Sequence, residues 1–294
     1  MRPKEFAALM ALLEDPDVEV YNPISKKLIL EGLPLVSLLE KAWENSTNEL
    51  LQVRIEDILH QIQLRNAKQN ILDWTESGAT NLLEGALYIA KYQYPDLEYE
   101  VIDSHINKIK QKVWLEFNES LTALEKVKVL NHILYGVCGF TGNVDNFFDP
   151  NNHHINTLIE TKKGGPVVMS ILYSIVAQRL GMPVFGVSLP KNFLLAYEDR
   201  YGQSTEDKNE QRSVLFYINP FNRGAVLGKK EIEQFLTQNS IDHKDEYFKA
   251  CSNITTISQL IASLMLSYQK VGNTNIVDDL RMLLDIVVTS KSIR

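Results

Sequence analysis

The apolar positions of this chain fall into helical stripes over most of its length. Leu50, Leu51, Ile55, Ile58, Leu59 and Ile62 recur at intervals of three and four, so they share one face of a helix. Ile102, Ile106, Ile109, Val113 and Phe117 make a second stripe, and Leu121, Leu124, Val127, Leu130, Ile133 and Leu134 a third. Breakers separate them at Asp15-Pro16, Gly32 with Pro34, Ser77-Gly78 and Tyr94-Pro95. Residues 15–39 read as a helix, a turn at Gly32 and a second helix, which is the layout of an antiparallel helical pair.

The texture changes at Gly136. Gly136, Gly139, Gly142 and residues 143–152 predict a long loop rich in Gly, Asn and Asp, followed by a short helix over 155–163. Gly164-Gly165 is expected to be a flexible lead into a helix whose apolar face is Val168, Ile171, Leu172, Ile175 and Val176. Gly181 stops that helix, with Pro183 two residues on. Three strands follow, at 184–189, 193–197 and 214–218. The middle one is continuously apolar and so expected to be buried on both faces. A polar connection over 198–212 separates the last two. The tail is helical again: 231–238, a stripe over 257–271 ending at Gly272, and a last one over 277–287.

Composition narrows the function classes. The 294 residues hold 45% hydrophobic and 23% charged side chains, ordinary for a soluble globular protein. With Lys+Arg at 30 and Asp+Glu at 37 the net charge is −7, and the basic runs Lys162-Lys163 and Lys229-Lys230 are only pairs, so no nucleic-acid partner is expected. No apolar run approaches the ~18 residues of a membrane span, so no membrane partner is expected either. The apolar stretch at 6–13, closed by Glu14-Asp15 and without a small-residue cleavage site, reads as an amphipathic helix rather than a signal peptide. Two cysteines far apart, Cys138 and Cys251, make no disulfide framework; a reducing, cytoplasmic setting is expected.

A glycine lead, a helix and then strands is one way to build a cysteine site. The thiolate is stabilised at the helix N-terminus, a strand supplies a histidine base, and a further strand supplies the group that orients it. The motifs along this stretch are specific. Gly139-Phe140-Thr141-Gly142-Asn143 is followed by Asp149-Pro150-Asn151-Asn152 and then by Gly165-Pro166-Val167-Val168-Met169-Ser170-Ile171-Leu172-Tyr173. Val176-Ala177-Gln178-Arg179-Leu180-Gly181-Met182-Pro183, Pro190-Lys191-Asn192-Phe193-Leu194-Leu195 and Asn219-Pro220-Phe221-Asn222-Arg223-Gly224 complete the series. In this order they resemble the SirB-type transglutaminase-like family, over residues 130–228, about a third of the chain.

The resemblance implies a helix-rich α+β fold, with a transglutaminase-like core of one helix packed on a small antiparallel sheet. An N-terminal helical domain (1–120), the core (121–228) and a C-terminal helical segment (229–294) would follow one another. In active members of the wider superfamily the cysteine lies fifteen residues before the glycine that ends its helix. Counting back from Gly181 lands on Pro166. The histidine position falls on Asn192 and the acidic position on Asn219. The SirB-type branch characteristically lacks the cysteine and usually keeps the histidine; this chain departs from that second feature too. Proline at the first helical position suits structure, not attack, and asparagine is no base at neutral pH. The expected function is therefore a non-catalytic transglutaminase-like module that acts as a protein- or peptide-binding or regulatory component, without a cofactor.

An alternative stays open: a cysteine-dependent acyl-transfer or hydrolase enzyme with a relocated site near Cys138, served by His132, His153 or His154. Ser170, one turn inside the helix, is a further candidate without an evident base. Cys138 itself reads more simply as a buried, inert thiol. Asn143 and Glu160 are candidate cleft or ligand residues; Glu160 with Lys162 and Lys163 also reads as a capping or ion-pair cluster. Asn143, Asp145 and Asp149 lack the spacing of a calcium loop and read as turn formers. His153-His154 is expected at the surface, because adjacent histidines rarely face one ligand and no third ligand joins them. No metal site is expected.

Overall fold

The computed structural model describes residues 2–118, 120–199 and 213–292. Most of the connection expected at 198–212, from Arg200 on, lies outside the described residues. The chain divides into two compact units, Met1–Asn70 and Ile71–Arg294.

The first unit is helical. α1 (Pro3–Leu13), α2 (Val18–Glu31) and α3 (Val36–Asn45) precede α4 (Glu49–Glu76), which runs on past the unit's boundary. Asp17 caps α2 by accepting the Glu19 N–H at 2.8 Å, and Gly32 ends it at φ +72°. Leu9, Leu13, Leu28, Leu39, Ile55 and Ile58 meet in one core, which is the stripe read from the sequence on α4 packed on its neighbours. Arg54 is buried beside them because its guanidinium is satisfied: it donates to the carbonyls of Leu13 (2.8 Å) and Asp15.

The second unit opens with α5 (Leu82–Gln93), α6 (Tyr99–Trp114) and α7 (Ala123–Asn131). Thr122 and Glu125 form a reciprocal cap at the start of α7. α7 runs directly into a π-helical turn, His132–Val137, so Gly136 is helical and the expected loop begins later. β1 (Thr141–Gly142), α8 (Ile155–Thr161) and β2 (Lys163–Gly164) lead to α9 (Pro166–Arg179). β3 (Val184–Leu189), β4 (Asn192–Glu198), β5 (Val214–Asn219) and β6 (Ala225–Leu227) form one antiparallel sheet in sequence order. α10 (Lys229–Gln238), α11 (Asn253–Lys270) and α12 (Thr274–Ser292) close the chain.

The fold is thus helix-rich α+β. α9 packs on β3 and β4 on one side and on α5, α6, α8 and α11 around the rest. Every residue from Val167 to Ala177 is buried. The sequence showed one apolar stripe; in the structure the helix is surrounded, which is why its polar members are serines bonded to nearby carbonyls. Ser170 Oγ donates to the Pro166 carbonyl and Ser174 Oγ to that of Val184, each at 2.8 Å. β4 is buried on both faces, as its unbroken apolar run predicts. β6, three residues long, is too short to leave a period in the sequence.

Candidate functional site

The start of α9 is held firmly. Gly165 N–H donates to the Asn152 carbonyl at 2.8 Å, and the Gly164 carbonyl accepts from Asn143 N–H at 3.0 Å. β2 pairs with β1, Gly142 opposite Gly164. Gly164-Gly165 is therefore not the flexible lead expected: it is a paired, buried segment, because the loop over 143–152 returns to bond it. Pro166 is the first helical residue, and no side chain caps the helix. The N–H groups of Val167 and Val168 have no acceptor among the described residues.

This helix mouth borders a cavity of about 250 Å³. Its walls include Pro166 and Val167 from α9, Leu189, Lys191, Asn192 and Phe193 around the β3–β4 turn, Phe147 and Phe148 from the loop, and Gln259, Ala262, Ser263, Leu266 and Ser267 along α11. Pro190 followed by Lys191 at φ +64° is the residue order of a type II turn, and it sets Lys191 and Asn192 at the rim. Two of the three positions that the motifs mark, 166 and 192, thus share one cavity. Asn192 turns its Oδ1 onto the Phe193 N–H at 2.9 Å.

Asn219 lies outside the lining. It ends β5 opposite Ala225, and its Oδ1 accepts from the Asn222 N–H at 3.2 Å, starting the turn to β6. Three side-chain bonds brace that turn. Tyr173 Oη donates to Asn131 Oδ1 at 2.9 Å, Asn131 Nδ2 to the Gly224 carbonyl at 2.8 Å, and Tyr135 Oη to the Pro220 carbonyl at 3.0 Å.

Asn143, Glu160, Ser170 and Cys138 also lie off the cavity lining. Asn143 donates to Asn152 Oδ1 at 2.8 Å and so shapes the loop. Ser170 is buried within α9. Glu160 is exposed and forms no ion pair with Lys162 or Lys163; instead Lys162 stands over the Phe140 ring, 4.7 Å from its centre. Cys138, just after the π-helical turn, is half-buried rather than enclosed as expected. Asp149 forms a turn, accepting from Asn151 N–H at 2.9 Å. Among the described residues no three His, Cys, Asp or Glu side chains come together as metal ligands.

The histidine pair corrects the sequence reading. His153 and His154 are 5% and 1% exposed, not at the surface. His153 lines the cavity, with Nε2 2.8 Å from Ser267 Oγ on α11 and Nδ1 without a partner. His154 stacks edge-on against Tyr94, ring centres 5.2 Å apart. Burial pushes the His153 imidazole down to about 4 and that of His154 to about 3. The signal was present as a pair beside a turn, but nothing local showed that α11 covers it. Lys191 was visible within a motif, whereas Gln259, Ser263 and Ser267 carried no sequence signal as site residues.

The family model of the transglutaminase-like superfamily matches residues 100–262. The chain belongs to that superfamily. The matched span runs from α6 into the first half of α11, so it includes the helix mouth and, of the α11 wall, Gln259 and Ala262; Ser263, Leu266 and Ser267 lie beyond it. A UPF0162 protein of Xylella fastidiosa is 28% identical over 165 residues, 56% of this chain and 54% of its own length. A UPF0162 protein of Vibrio cholerae is 24% identical over 189 residues, 63% of this chain and 66% of its own. F-box only protein 21 of Mus musculus is 27% identical over 210 residues, 64% of this chain and 32% of its own. The chain spans about half the length of the Xylella relative. No solved structure matches it significantly. No described helix is long and apolar enough to cross a membrane.

Proposed function

We propose that this chain is a non-catalytic transglutaminase-like module of the SirB-type branch that binds a protein partner through an extended peptide. One observation carries the reading: the α9 mouth opens on a cavity bounded by Pro166 and Asn192, with no thiol on its lining. The marked positions 166, 192 and 219 then stand for a lost relay of nucleophile, base and orienting group. His153 does not replace it. Its Nε2 is taken up by Ser267, a nearly enclosed residue inside α11, and an imidazole held near 4 has little affinity for the proton it would have to accept. The similarity to a protein named for an F-box supports a protein partner. We divide the chain by role into an N-terminal helical part (1–120), the core (121–228) and a C-terminal helical part (229–294), and place it in the cytoplasm, where Cys138 and Cys251 would stay free thiols.

The test pairs chemistry with binding. Amine-transfer and peptide-hydrolysis assays should find no turnover above buffer for the protein or for Pro166→Cys. A peptide library should yield binders that Ala262→Trp, which fills the cavity from α11, no longer retains. Turnover abolished by Asn192→Ala or Asn219→Ala overturns the reading. The cysteine-enzyme alternative is read by a thiol probe: rapid labelling of Cys138 below pH 7 favours it, and a slow thiol removes it.

A further inference from the structure

The charge around this cavity is one-sided. The protein carries a net charge of −7, yet none of the residues lining the cavity is acidic. Lys191 is the one lining residue ionised at neutral pH, since burial keeps His153 neutral. Lys191 makes no ion pair among the described residues. Lys270 stands nearby on α11, over the Phe148 ring at 5.6 Å. The uncapped start of α9 adds the positive end of a 14-residue helix; Val167 lines the cavity, and its N–H has no acceptor among the described residues. A second, separate feature stands at the same mouth. His153 is 5% exposed with Nδ1 unpartnered, and its ring lies against Gly165, where a Cβ would sit 3.6 Å from Nδ1. A buried polar atom without a partner beside an unsatisfied helix end indicates that a polar group of a ligand belongs there. Phe147, Phe148, Leu189, Phe193 and Leu266 give the wall an apolar side, and Gln259, Ser263 and Ser267 are its polar side chains from α11.

Resting on the peptide-binding reading above, we propose that the cavity takes the free C-terminus of a peptide whose last side chain is apolar. The terminal carboxylate lies at Lys191, Asn192 and the start of α9, and the side chain lies among the phenylalanines. A peptide's terminal carboxylate is an anion that a helix N-terminus and a lysine can hold together, and an apolar side chain fits against the phenylalanine side of a space of about 250 Å³.

The experiment uses the full chain and a fluorescein-labelled octapeptide ending in Phe with a free carboxylate, read by anisotropy. The same peptide with a C-terminal amide is the comparison. The carboxylate form should bind at least about tenfold more tightly, the scale of one charge-assisted contact. Lys191→Asn, chosen because asparagine tolerates a left-handed φ, should bring the two peptides to the same weak level. Equal binding of acid and amide overturns C-terminal recognition and leaves the cleft reading standing. So does a preference for the acid that survives Lys191→Asn, as far as the assigned anion site is concerned. No saturable binding of either peptide overturns the inference, while the cleft reading is judged separately by the library and Ala262→Trp. N-acetylphenylalanine competing as well as the octapeptide identifies a free acid as ligand and overturns the peptide.

Discussion

His153 is neutral in the folded protein at physiological pH because burial, the largest influence on it, disfavours the imidazolium; the Asp149 charge acts in the opposite direction. Its folded-state value of about 4 lies below the ordinary 6.5, so the unfolded chain binds the extra proton first as pH falls. The contribution of a neutral His153 is complete above pH 6.5 and is lost progressively towards pH 4. Urea midpoints measured from pH 7.5 to 4 should therefore fall more steeply for the natural protein than for His153→Gln. Gly224 is decided by backbone and space together. Its φ is +71°, and a Cβ there would lie 2.0 Å from Asn131 Oδ1. Gly224→Ala should lower unfolding free energy by about 2–4 kcal/mol in denaturant titrations, combining left-handed strain with the loss of the Asn131 bond.

At the scale of elements, α9 carries the sheet on one side and four helices on the others. Ile171 is fully buried at its centre, so Ile171→Ala should cost about 2–5 kcal/mol, measured by chemical denaturation. Tyr173→Phe tests the link from α9 through α7 to the turn after β5. It leaves Asn131 Oδ1 without its donor and should cost about 1–3 kcal/mol with the fold retained. The sequence predicted most of these elements. Stripes of period 3.6 marked α4, α6, α11 and α12, and the unbroken apolar run of β4 marked a strand buried on both sides. Gly181 ends α9 at φ +78° as read. What was illegible was short or non-local: β6 has no room for a period, and Gly136 stays helical because α7 continues into a π turn.

In the whole molecule, the chain divides into two compact units, and α4 runs in sequence from the first into the second. Leu39 lies in the first core and is fully buried. Leu39→Ala should destabilise the first unit by about 2–5 kcal/mol, seen as a shift of one calorimetric transition, while the affinity for a C-terminal peptide stays unchanged. A matching loss of affinity would mean that the site depends on residues before Ile71.

The sequence by itself determined the helical character of the chain, the order helix then strands, and the residue types at 166, 192 and 219. These are local properties: periodicity, turn chemistry and the presence or absence of a reactive atom. Only the tertiary structure decided that 166 and 192 border one cavity and that Asn219 is occupied with its own turn. It likewise decided that His153 lies under α11 rather than in water. The physical reason is the same in each case. Burial and convergence depend on which distant segment packs over a residue, and the α11 helix that covers the site lies more than a hundred residues from His153 in sequence, bonded to it at 2.8 Å in space.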